Sequence, residues 1–139
     1  MKSKRLNLIG LLFFVGFSSV LFTSCKDEPL ATIKITATGS DVGGDVNGNG
    51  GNATQSYTWN NSLETADWNM DITAAGGGSF QLIIKDADGA TVLNNTLTKG
   101  VGDDSASGAT SSGAAGDWQI TVVLTDFNGD GSFSISPGN

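Results

Sequence analysis

Two stretches of this chain space oxygen-bearing side chains as the front half of a calcium loop does. Asp45-x-Asn47-x-Asn49-Gly50 and Asp126-x-Asn128-x-Asp130-Gly131 both place Asp or Asn at alternate positions ahead of a glycine. Calcium takes roughly six to eight hard oxygens, and a tight loop brings alternate side chains to one point. The full motif closes with a bidentate Glu at its last position, where this chain has Ser56 and Pro137. Neither stretch is therefore an EF-hand. Asp126, Asn128 and Asp130 stand as candidate calcium ligands, and a turn rich in Asx motifs calls for the same residue types.

Other groupings bear on other chemistries. Asp86/Asp88 and Asp103/Asp104 are pairs of carboxylates. Glycoside hydrolysis needs two such groups, with one pKa raised by an apolar pocket. Both pairs sit among turn residues, so they read as solvated turn acids. Tyr57 and Trp59 alternate on one short run without aliphatic companions. They are the candidate stacking surface for a glycan, in competition with burial, the commoner fate of large aromatics. There is no histidine, and Cys25 is the single cysteine. That removes the Ser-His-Asp and Cys-His groupings, an internal disulfide, and Cys/His zinc sites.

Charge narrows the partners. After residue 24 the chain keeps four lysines, no arginine and all 14 acidic residues. Nucleic-acid binding needs a basic footprint and is excluded as a function class.

The elements that must position these residues are strands. From Leu30 onward, short alternating runs are separated by Gly, Asn, Asp and Ser clusters, and no window has sustained helical periodicity. Ile33, Ile35 and Ala37 share one face; so do Trp68, Met70 and Ile72; Phe80, Leu82 and Ile84; and Trp118, Ile120, Val122 and Leu124. With weaker runs around Tyr57–Trp59, Val92–Leu97 and Phe133–Ile135, the count is about seven strands, each with one apolar face. Such strands call for an all-β antiparallel two-sheet sandwich, immunoglobulin-like or jelly-roll, without the Cys-Trp-Cys hallmark. Asp86-Ala87-Asp88-Gly89 and Asn128-Gly129-Asp130-Gly131 read as hairpin turns. Residues 39–55 and 99–117 read as loops, long enough to be functional or mobile.

The first residues differ from the rest. Met1 to Arg5 are positively charged, Leu8 to Phe17 are apolar apart from glycine, and Ser18, Ser19, Thr23 and Ser24 make the end small and polar. This is the tripartite signal-peptide pattern. Leu6 to Phe22 spans 17 residues, short of the roughly 20 that a membrane-crossing helix requires.

The end of that run, Leu21-Phe22-Thr23-Ser24-Cys25, resembles the lipobox of bacterial lipoproteins, with Phe22 where leucine is commoner. The resemblance implies cleavage before Cys25 and acylation of that residue. Several acyl chains anchor stably, each buried CH₂ contributing about 0.8 kcal/mol. Lys26, Asp27 and Glu28 then resemble the export signal of surface-exposed lipoproteins of Bacteroidetes-type bacteria, which implies the outer face of the outer membrane. Asp104-Ser105-Ala106 resembles the Asp-Ser/Thr-aliphatic O-glycosylation motif of exported proteins of such bacteria, making Ser105 a candidate acceptor. The Asn-x-Ser/Thr sequons at Asn52, Asn60 and Asn94 are expected to go unused in that setting.

The expected organisation is a signal peptide over 1–24, a lipidated tether over 25–29 and a β-sandwich over 30–139. The expected function is a non-enzymatic envelope lipoprotein, an accessory subunit that meets an outer-membrane protein partner. The alternatives are a carbohydrate-binding module and a calcium-dependent adhesin.

Overall fold

The computed structural model describes residues 29–72, 76–98 and 104–139. Among them are seven strands and no helix: β1 (Ala31–Thr38), β2 (Asp41–Asn61), β3 (Ala66–Ile72), β4 (Ser79–Lys85), β5 (Thr91–Thr98), β6 (Ser105–Ala109) and β7 (Gly116–Pro137). Every pairing is antiparallel. The all-β expectation holds.

The strands are not divided as the alternation suggested. All seven belong to one hydrogen-bonded sheet, organised on a long ribbon of β2 against β7. The first half of β2 and the second half of β7 carry β1 on one side and β3, then β6, on the other. The second half of β2 and the first half of β7 carry β4 and then β5. The ribbon is broken by register shifts between Asn49, Gly51 and Ala53. Gly50 has φ +82° there, opposite a strand in which Asp126 takes φ +46°. A Cβ on Gly51 would lie 2.5 Å from the Leu30 carbonyl carbon, so only glycine lets β1 start so close to the bulge.

This bulge lets the ribbon double back. Fully extended, the run from Asp41 to Trp59 would span about 60 Å. Yet the Trp59 indole N–H donates to the Ser40 carbonyl at 2.8 Å, joining the two ends of β2. Phe80 of β4 meets both Phe127 and Phe133 of β7 edge-on, with ring centroids 6.4 and 6.3 Å apart. Inward residues from both halves form one core, including Val42, Val46, Met70, Phe80, Leu82, Ile84, Trp118, Ile120, Val122, Leu124, Phe127, Phe133 and Ile135. Burying each large apolar side chain contributes roughly 1.5–3 kcal/mol.

Three expectations are corrected. Residues 39–55 are not a loop: Asp41 onward is the first part of β2, paired on both sides from Val42 to Gly48 and with β7 beyond. Asn128-Gly129-Asp130-Gly131 is not a hairpin turn but extended β7, opposite Asn49, Gly48, Asn47 and Val46. Within 99–117, residues 105–109 form β6 against β3. The turn at Asp86–Gly89 stands: the Gly89 N–H donates to the Asp86 carbonyl at 3.0 Å, and Gly89 has φ +83°.

Candidate functional site

The two calcium-like stretches come together, though not as loops. They are facing segments of β2 and β7: Asn47 lies opposite Asp130, and Asn49 opposite Asn128. The Asn47 amide donates to the Asp130 carboxylate. In an extended strand, alternate side chains on one face stand about 7 Å apart. Calcium ligands must converge to within roughly 2.6 Å of one point. Asn128 and Asp130 therefore make a row, not a cage, Asp126 sits in the bulge at φ +46°, and among the described residues no three acidic, cysteine or histidine residues are grouped to hold a metal ion. The Asp126 backbone N–H is taken by the Asn52 side chain at 2.7 Å. The row belongs to a wider polar face. Thr32 and Lys34 of β1, Asp45 and Asn47 of β2, Asp130 and Ser134 of β7, and Asn69 of β3 are all exposed.

The aromatic candidates part company. Trp59 is 5% exposed, meets Trp118 at 90° with centroids 6.0 Å apart, and spends its indole N–H on Ser40. It offers no ring face to a sugar, which corrects its place as a stacking platform. Tyr57 is half-buried and packs against the core from the second half of β2. Trp118, Phe80 and Phe133 are buried as their phase required. Trp68 is only half-buried, and its indole nitrogen is enclosed without a hydrogen-bond partner. Gly108 of β6, opposite it, has no side chain to cover the ring.

Asp86 is not a solvated turn acid. It is buried, with one carboxylate oxygen accepting the N–H groups of Asp88 at 3.1 Å and Ala90 at 2.8 Å, and the other accepting Ala114 at 2.9 Å. These bonds stabilise the ionised form and hold its pKa below the ordinary value. The Ala114 N–H contributes most, and burial opposes it. A general acid needs the reverse shift, so Asp86 is built as a clamp. It ties the β4–β5 turn to the segment entering β7.

That clamp belongs to a knot of loops that the sequence reading missed. Fully buried Asn61 donates to the Thr65 carbonyl at 3.0 Å and accepts the Leu63 N–H at 3.1 Å. Ala66 exchanges bonds with Thr110, and the Gly113 N–H donates to the Glu64 carbonyl at 2.7 Å. The Trp118 indole donates to the Ala114 carbonyl at 2.7 Å. The usable signal was Asn61 before Ser62, an Asx-turn opening. What it would bond to lay in segments far along the chain.

Ser105 begins β6 and is exposed. Asp88 is exposed in its turn, and Asp104 lies just before β6, where its carbonyl accepts the Ile72 N–H at 2.8 Å. Cys25, Lys26, Asp27, Glu28 and Asp103 lie outside the described residues. No protein-family model matches the chain. No curated protein matches it either.

Proposed function

We propose that this chain is a non-enzymatic lipoprotein of the bacterial cell envelope, anchored through lipid on Cys25 and displayed on the outer surface, where its β domain acts as an interaction subunit. The observation that carries the reading is the lone cysteine at the end of an apolar leader, followed within six residues by the first strand at Ala31. Anchor and folded domain are then separated by a short polar tether. Confinement to a membrane raises the effective concentration of a binding surface near membrane partners without adding any contact. A signal of Cys25-Lys26-Asp27-Glu28 type supports the outer face.

The same reading treats the two halves of the doubled ribbon as the two layers of a sandwich of immunoglobulin-like or jelly-roll type. The Trp59–Ser40 bond and the Phe80 contacts with Phe127 and Phe133 support it. The layers then meet along the shared core, and the bulge end, where β1 begins, lies nearest the membrane.

Replacing Cys25 by serine is the test. The variant is expected to accumulate as uncleaved precursor, to lose incorporation of labelled palmitate, and to leave the detergent-soluble membrane fraction. Normal processing and membrane retention of Cys25→Ser would overturn the reading. Surface display is read separately, as cleavage of the domain by protease added to intact cells.

A further inference from the structure

The β7 side of β2 is paired from Val42 to Asn61 apart from the bulge at Gly50 and Asn52, but the other side is paired only as far as Asn49. Among the described residues nothing pairs with the outer edge of Ala53–Asn60. An unpaired edge presents a row of backbone N–H and C=O groups that only another strand satisfies in full, and proteins usually guard such edges with charge, proline or shortness. The other edges here are guarded. β1 carries Lys34, β6 has five residues, and β5 is crossed at Val92, whose carbonyl accepts both the backbone N–H and the hydroxyl of Ser111. The stretch Ala53-Thr-Gln-Ser-Tyr-Thr-Trp-Asn60 has no charge and no proline.

The side chains beside this edge are left incompletely covered. Gln55 pairs with buried Val122 and so shares its inward phase, yet it is exposed. Tyr57, next on that face, is half-buried. Ile33 and Ile35 of β1, opposite Val46 and Gly44, are also only half-buried. β1 flanks the half of the ribbon that is five strands wide, and the vacant edge flanks the half that is four strands wide. Both lie on the side of β2 away from β7. Among the described residues the shortfall is one strand, beside Tyr57 and below Ile33 and Ile35.

We propose that the outer edge of β2 from Ala53 to Asn60 is an acceptor for an extended segment of another polypeptide, bound by backbone pairing. Its alternate apolar side chains cover Ile33, Ile35 and Tyr57. The described residues carry eleven acids against two lysines, so the donor is uncharged along the strand and basic at its flanks. The choice of donor rests on the lipid-anchor reading. A chain cleaved before Cys25 keeps only six residues ahead of β1, which starts opposite Gly48, too few to reach along Gln55–Asn60. A second copy pairing through the same edge about a two-fold axis must run antiparallel. The two bulge ends would then lie at opposite ends of the joined strands, and the reading that sets the bulge end nearest the membrane does not allow that in both copies.

The test uses the full chain, purified in detergent, and a short synthetic peptide of alternating valine and threonine with lysine at both ends. Backbone hydrogen exchange is followed by mass spectrometry. In the wild type, residues 53–60 are expected to exchange about tenfold more slowly with the peptide present, while β1 is unaffected. A version with proline at the valine positions has too few backbone donors and should do nothing. Ile35→Lys and Tyr57→Asp, introduced separately, should each abolish the protection, and retention of the Trp118 near-ultraviolet signal shows which of them folds. No slowing in the wild type overturns the proposal. Protection without peptide also overturns it: if lost on dilution, a second copy occupies the edge, and if independent of dilution, the chain covers the edge itself. Cys25→Ser, run in parallel, separates the two readings, because its membrane fractionation reports the anchor and its peptide response reports the edge.

Discussion

At the scale of single residues, the side chains that looked chemical are mostly employed in holding the fold. Asp86 is the clearest case. Its carboxylate receives three backbone N–H groups from two segments, and all three favour the charged form. Asp86→Asn keeps the size but presents an amide N–H to at least one of those donors, so its melting temperature should fall at neutral pH. Because the folded-state pKa is lowered, the stabilisation is fully present above the ordinary value of 3.8 and is lost as pH falls through the lower folded value. The gap between wild type and variant should therefore stay constant at neutral pH and close in acid. Circular-dichroism melts of both proteins across that range check it; a gap that stays open in acid would show that the charge is not the cause. Trp59 carries a related lesson. Its type suggested a sugar platform, but an indole with one donor is equally a tie between chain segments when a carbonyl is within reach.

At the scale of elements, what the sequence disclosed depended on what fills each inward position. β4 and the first half of β7 were legible because Phe80, Leu82 and Ile84, and Trp118 through Leu124, alternate without interruption. The first half of β2 was not, because its inward positions read Val42, Gly44, Val46, Gly48. The glycines are there to admit neighbours. A Cβ on Gly44 would lie 1.9 Å from the Lys34 carbonyl oxygen and 3.0 Å from the Phe133 ring, and one on Gly48 2.2 Å from the Phe127 carbonyl oxygen and 3.0 Å from its ring. The apolar volume for those positions is supplied from the opposite strand, which a one-strand pattern cannot show. The same residues, Gly, Asn and Asp, that mark turns elsewhere here mark a crowded ribbon. β6 was hidden for a different reason: Ala106 and Gly108 are its only inward residues. That element also offers a prediction. A Cβ on Gly108 would sit 3.8–3.9 Å from the Trp68 indole, in ordinary contact, and its φ is not positive. Gly108→Ala should stabilise the protein by about 0.4–1 kcal/mol, through a less flexible unfolded chain and cover for Trp68. A rise in the urea midpoint at unchanged slope checks it; a fall would mean that β6 cannot accept a side chain there.

At the scale of the whole molecule, the β2–β7 ribbon decides the behaviour. Each half of the sheet is built on the same two strands, and each half's inner residues complete the other's core through Phe80, Phe127 and Phe133. Neither half can unfold alone without exposing the apolar surface of the one that remains. The ribbon also joins residues distant in sequence, with Val42 beside Ile135 and Tyr57 beside Ile120. The β1–β2 and β4–β5 hairpins are local, but the sheet and its core wait on that long-range closure, which makes folding slow, in the millisecond-to-second range of β topologies. The expected equilibrium consequence is a single cooperative transition. Far-ultraviolet circular dichroism, which reports the strands, and near-ultraviolet signals from Trp59 and Trp118, which report one half of the core, should melt together, and calorimetric and van't Hoff enthalpies should agree. A truncation of the core in either half tests the coupling more sharply. Met70→Ala in β3 and Leu82→Ala in β4 sit in opposite halves and are both fully buried. Each should cost about 2–5 kcal/mol and lower both signals by the same amount. If Met70→Ala instead melted its own half early and left the Trp59–Trp118 signal where it was, the ribbon would be a hinge between two independent units rather than the spine of one.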